Sequence, residues 1–218
     1  MYTAKSLVLI VCGAIASAIV CVAAARMPYF PTDLAIARAV QSALAGPAGW
    51  ARWITKTADQ PWCFALLGLT MIAAWALDGW RAALTALPVF FGLWAFGAWL
   101  SPHIAQPRPA ADLIHVVGHP KGYAFPSIFG LIYMATFGYI GVLAWTRPRF
   151  ALKLLIVVLV KLALIIGACA RIVLGAHWPS DLWAAYLMGF VWIGVLMPLA
   201  RPNPAAVNAA PAAERSAS

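Results

Sequence analysis

Charge is what this sequence has least of. Only six of its 218 residues are Asp or Glu, charged residues make up 10% of the chain, and histidine occurs four times. Soluble globular domains carry about 25% charged residues, so a water-facing surface of ordinary extent is excluded. The 64% hydrophobic content places the chain in the membrane class. Cysteine is equally sparse. Cys12, Cys21, Cys63 and Cys169 lie in or beside apolar stretches without Cys-x2-Cys spacing, which argues against a disulfide framework or a thiolate metal site and leaves small packing residues. The net charge of +9 comes from Lys and Arg scattered among short segments. No basic stripe interleaved with stacking aromatics is present, so the expected partner is anionic lipid and not nucleic acid. The chain has no internal repeat and no paired interrupted apolar segments, which leaves a small transporter as a weakly supported rival.

What is present is a succession of apolar runs. They span Leu7 to Ala25, Trp62 to Leu77, Ala83 to Leu100, Ser127 to Trp145, Leu152 to Val173 and Leu182 to Leu199, each near the ~20 residues a bilayer core requires. The expectation is an all-α bundle of six transmembrane helices, residues 1–200 forming one domain. The tail 201–218, rich in Pro, Ala, Asn and Ser, has too little to bury and is expected to be disordered. The first run follows Lys5 and ends on Ala23-Ala24-Ala25, which resembles a signal-peptide cleavage site. Its length exceeds the ~7–15 residues of a signal core and favours a retained helix.

Between the first two runs, Thr32-Asp33 ahead of Leu34-Ala35-Ile36 reads as the N-cap of a short helix lying on the membrane surface. Asp78-Gly79 and Thr146-Arg147-Pro148-Arg149 read as tight turns on the opposite side. Lys161 falls near the middle of the fifth run, where an unpaired ammonium is costly. It is expected to face the bundle and meet carbonyls or a polar side chain.

The scarce charge is concentrated at one join. Arg171, His177 and Asp181 form the pattern Arg-x5-His-x3-Asp between the fifth and sixth runs. Charge beside a bilayer is functional by default; an interfacial cluster that anchors helix ends is the plain alternative. A second polar segment, Ser101 to Pro126, holds His103, His115 and His119 with Arg108, Asp112 and Lys121. By the alternation of six spans it faces the same side, so the two segments can build one site. With both termini cytoplasmic, Lys and Arg divide seven against seven between the two sides. Setting aside the candidate site residues Arg108, Lys121 and Arg171 leaves seven against four, which puts the site on the extracytoplasmic side.

Three pieces, Gln106-Pro107-Arg108-Pro109, Phe125-Pro126-Ser127 and Arg171-x5-His177-x3-Asp181, resemble in order and spacing the type-2 phosphatidic acid phosphatase family, lipid-phosphate phosphatases that share a helical core with vanadium haloperoxidases. The family motifs are Lys-x6-Arg-Pro, Pro-Ser-Gly-His and Ser-Arg-x5-His-x3-Asp, and the resemblance covers Ser101 to Asp181. Three positions depart from it: Ser101 stands at the first-motif Lys, Phe129 at the second-motif His, and Ala170 at the third-motif Ser.

The resemblance implies an inner (plasma) membrane lipid phosphatase of six spans. His177 would take the phosphoryl group and Asp181 would hold its other ring nitrogen. Arg108 and Arg171 would fork onto phosphate oxygens, and Ser127 would bind the anion at a helix start. It implies no metal and no cofactor. The substrate would be a phospholipid or polyprenyl phosphate, and oligomeric state is open. Phe129 cannot protonate a leaving oxygen. His119 and Lys121 are candidate replacements for the missing acid and the missing Lys, against the plainer reading of a polar loop at headgroup level. The rival expectations are a non-catalytic relative that binds phospholipid headgroups and a phosphotransferase on the same scaffold.

Overall fold

The computed structural model describes residues 4–147 and 151–201, and the regular structure within them is helical. Helix α1 spans Ala4–Ala24, α2 Asp33–Ala43, α3 Gly49–Lys56, α4 Trp62–Asp78, α5 Trp80–Ile104, α6 Ile128–Thr146, α7 Lys153–Val173 and α8 Pro179–Ala200. Of these, α1, α5, α6, α7 and α8 are long and apolar enough to cross a bilayer, and the protein is a multi-pass membrane protein. The second of the six expected spans forms α4, whose 17 residues reach about 25 Å at 1.5 Å per residue, somewhat short of the ~30 Å hydrocarbon layer. The tail after Arg201, and Pro148 and Arg149 of the turn after α6, lie outside the described residues.

The long helices are apolar all round, so burial is decided by which face meets another helix. Phe90 and Leu93 of α5, Leu131, Tyr139 and Leu143 of α6, and Ile193 of α8 form the centre of the core. Close approach depends on small residues: a Cβ on Gly97 of α5 would stand 2.4 Å from Leu131 Cδ1 and 2.7 Å from Ile128 Cδ1. Two tyrosines add hydrogen bonds between helices, Tyr139 Oη donating to the Ala82 carbonyl (2.8 Å) and Tyr186 Oη to that of Leu164 (2.7 Å). A π turn over Met134–Gly138 interrupts α6, where the sequence predicts an unbroken helix. At the end of the bundle where α4 meets α5, Asp78 pairs with Arg147 (3.7 Å) and Arg201 (3.5 Å).

Two expectations need correction. Lys161 lies on the exposed outward face of α7, not toward the bundle; there its four-carbon stem can run along apolar surface while the ammonium reaches toward headgroups. The segment Met27 to Gln60 forms two helices instead of one, and Thr32 makes no side-chain cap bond. Asp33, buried at 1% exposure, works further afield. Its carboxylate accepts from Phe30 N (2.8 Å), Ser180 N (2.9 Å) and Ser180 Oγ (2.6 Å). Gln41 Nε2 donates to the carbonyls of His115 (2.7 Å) and Ile172 (3.0 Å), and its Oε1 accepts from His115 N (3.1 Å). Helix α2 is therefore a strap across the adjoining ends of α7 and α8.

Candidate active site

The spacing Arg-x5-His-x3-Asp is explained by how α7 stops and α8 starts. Gly175 adopts φ +63°, its N–H donates to the Ile172 carbonyl (2.9 Å), and Ala176 N donates to the Arg171 carbonyl (3.0 Å). This pair of bonds around a left-handed glycine is a Schellman closure, with Arg171 three residues from the helix end. Two residues later α8 begins with Pro179 in its first position, where the missing N–H costs nothing. Asp181 Oδ2 accepts from Trp178 N at 2.8 Å, the carboxylate half of a capping box. His177 is thereby held between two helix termini, at 3% exposure.

The imidazole is oriented from behind. Its Nδ1 lies 2.8 Å from the Ala124 carbonyl and 3.4 Å from Asp181 Oδ2. Both are acceptors, so Nδ1 carries the proton and the lone pair sits on Nε2. Of the two, the backbone carbonyl makes the shorter contact, and nothing in the sequence marks it. Nε2 faces Arg108 Nη1 at 3.2 Å. Arg108 also donates from Nη1 to the Ala176 carbonyl and from Nε to the Lys121 carbonyl (3.0 Å). These contacts bring the two polar segments together at one end of the bundle.

Arg108, Arg171, His177 and Phe129 line one cavity of about 140 Å³. Arg171 reaches it from the end of α7: Nη1 donates to Thr55 Oγ1 (3.3 Å), the guanidinium carbon lies 5.4 Å from the Phe129 ring centre, and the buried Nε has no partner among the described residues. Phe129 stacks on Tyr133 with centroids 4.1 Å apart, so its ring braces a cation and presents no proton. The other expected residues lie elsewhere. Ser127 is buried behind the wall, its hydroxyl accepting from Gly130 N (3.2 Å) as an N-cap. His119 and Lys121 are exposed, and neither they nor Ser101 line the cavity. The residues that sequence reasoning missed come from the end of α3 and beyond it: Thr55, Ala58 and Asp59 form one wall, and only the sparseness of carboxylates could have drawn attention to Asp59.

Burial, then the charges of Arg171 and Arg108, hold the His177 imidazole well below its ordinary value, against a smaller upward pull from the Ala124 carbonyl. Burial also lowers Arg108, with Asp181 opposing, though a guanidinium stays protonated at any physiological pH. The cavity thus offers a neutral imidazole between two cations. Among the described residues no three His, Cys, Asp or Glu side chains converge to hold a metal ion; the donors suit an anion.

No protein-family model and no curated protein sequence matches the chain. Among solved structures it is similar to a transmembrane PAP2-type phosphatidylglycerolphosphate phosphatase from Bacillus subtilis, with a TM-score of 0.65 and 16% identity, over 90% of this chain and 96% of that one. The likeness is one of fold.

Gly175→Ala forces a Cβ to 2.3 Å from the His115 carbonyl oxygen at positive φ and is expected to cost about 1–3 kcal/mol, read as a lower thermal midpoint in detergent; an unchanged midpoint contradicts this account of the join. The His177 ring should keep its neutral Nδ1–H form in ¹⁵N spectra through pH 6.5, and a midpoint at the ordinary value contradicts it. Because the folded value lies below the unfolded one, the unfolded chain binds the proton first, so this group's contribution makes stability fall as pH drops through about 6.5.

Proposed function

We propose that the protein is a membrane lipid-phosphate phosphatase that works through a phosphohistidine at His177, on a six-span bundle with its site at the extracytoplasmic face. The observation that carries this reading is the pairing of an oriented, neutral imidazole with a buried arginine whose Nε lacks a partner among the described residues, both in one small cavity. A buried polar group without a partner is costly, and a phosphoryl oxygen would satisfy it. The shared fold of a PAP2-type phosphatase supports the reading; the phosphatidylglycerolphosphate named for that neighbour is a phosphomonoester of a glycerolipid.

In the proposed reaction His177 Nε2 attacks phosphorus and the bond to the leaving oxygen breaks. Arg108 and Arg171 neutralise charge on the transferring group, which is where catalysis of this kind draws most of its strength. The Ala124 carbonyl and Asp181 steady the positive charge that develops on the ring. Phe129 supplies no proton. An alkoxide leaves poorly without one, whereas phosphate leaving from a diphosphate is already a stabilised anion, so the site favours lipid diphosphates such as a polyprenyl diphosphate over monophosphates. The bracing of Arg171 by the Phe129 ring favours one other reading, a cradle kept for binding headgroups.

The test is phosphate release by purified protein in detergent from a panel of lipid mono- and diphosphates. Release that is lost in His177→Ala and blocked by vanadate is expected; no release together with Arg171-dependent phospholipid binding would establish the binding protein instead. Phe129→His should raise monophosphate turnover over diphosphate turnover by roughly 10²-fold or more, the worth of a general acid, and equal change on both would overturn the leaving-group argument.

A further inference from the structure

Phosphoryl transfer to His177 is only half of a hydrolysis. Discharge requires a water to attack the same phosphorus, and a group to take the proton that water sheds. His177 cannot serve, since Nε2 is then bonded to phosphorus. Asp181 lies behind the ring, where Oδ2 accepts from Trp178 N, and does not line the cavity. Phe129 has no proton site, and His119 does not line the cavity. Two of the remaining lining residues, Thr55 and Tyr123, are hydroxyl donors of weak basicity. Among the described residues only Asp59 brings a carboxylate-bearing side chain to the cavity wall.

The backbone at Asp59 is held although the residue is exposed at the rim. Its N–H donates to the Lys56 carbonyl (3.0 Å), and its own carbonyl accepts from Cys63 N (3.0 Å), which locks it between α3 and α4. Just before it, the Thr57 hydroxyl bonds to Tyr133 Oη (2.7 Å) and Thr55 Oγ1 accepts from Arg171, so this wall is fastened to the helices that carry Phe129 and Arg171. The rim is where bulk water enters. A cavity of about 140 Å³ is several times the ~10–15 Å³ that one water needs on the same measure, which leaves room for a water beside a bound phosphoryl group. A carboxylate in an anion-binding cavity also weakens binding of the anion. Such a group, in a chain with six carboxylates in all, calls for a use.

We propose that Asp59 is the general base that discharges the phosphohistidine, an assignment that rests on the phosphatase reading above. The water oxygen attacks phosphorus as the P–Nε2 bond breaks, and the electron pair of that bond returns to Nε2. The Asp59 carboxylate takes one water proton and passes it to solvent, and inorganic phosphate leaves. The first step then needs no acid when the leaving group is a phosphate, and the second step has its base, so Phe129 is compatible with full turnover.

The experiment uses the full chain in detergent and a short-chain polyprenyl diphosphate carrying ³²P in its terminal phosphate. Asp59→Asn should release lipid monophosphate in a burst close to one equivalent, then turn over roughly 10²-fold more slowly, while acid-labile, alkali-stable label accumulates on the protein and is absent from the double variant with His177→Ala. Asp59→Glu, which keeps a carboxylate, should turn over faster than Asp59→Asn without trapping label, and the thermal midpoints of both variants report whether the fold is intact. Asp59→Asn that turns over normally, or that is slowed only through KM with no trapped label, overturns the assignment while leaving the phosphatase reading in place. Wild-type protein without His177-dependent release overturns both.

Discussion

A helix end leaves carbonyls without partners inside the helix, and the end of α7 answers that demand completely. The carbonyls of Ala170, Arg171, Ile172 and Val173 are met by Leu174 N, Ala176 N, Gly175 N and the Gln41 amide. The next one, Leu174, accepts from Val117 N at 2.9 Å. Every one of these bonds is also a positional constraint. Satisfying the backbone fixes where Arg171 leaves the helix, where the chain turns, and how far on the imidazole stands, so the motif spacing follows from closing one helix and capping the next.

The same economy governs the rest of the site. Arg108 answers the Ala176 carbonyl and in doing so is delivered to the imidazole. Asp33 answers the first turn of α8 at Ser180, which steadies the turn that carries Asp181. Thr57 fastens the α3 wall to Tyr133, and Tyr133 in turn stacks under Phe129. Groups that look like catalytic apparatus and groups that look like scaffolding are the same hydrogen bonds seen from two sides.

Much of this is legible in the sequence, for physical reasons. Apolar runs with caps and glycines at their ends declare helices, and Arg171, His177 and Asp181 are readable because their offsets are local, fixed within ten residues by the turn itself. Arg108 is readable because Pro residues flank it in a chain poor in charge. The partners that complete the site are not. Asp33, Gln41 and Thr55 act on residues 147, 131 and 116 positions away, and no local pattern encodes such a distance. The Ala124 carbonyl cannot be read because a backbone oxygen has no letter. A Ser at a helix start suits an anion or a backbone N–H equally well, and the Ser127 hydroxyl goes to Gly130 N, the nearer claimant. The cost of bare charge argues for an inward Lys161, but that argument ignores how far a four-carbon stem can reach.

The charged lining of the cavity has a consequence for kinetics. A cavity of about 140 Å³ walled by two arginines, a histidine and an aspartate suits a charged headgroup better than a hydrocarbon chain, so a lipid bound there would keep its tail in the surrounding bilayer or micelle. Encounter is then a two-dimensional event governed by the mole fraction of ligand in the surface and not by its bulk concentration. Lipids with the same headgroup but different tails would compete as near equals, and adding inert detergent would slow binding simply by diluting the plane in which it happens.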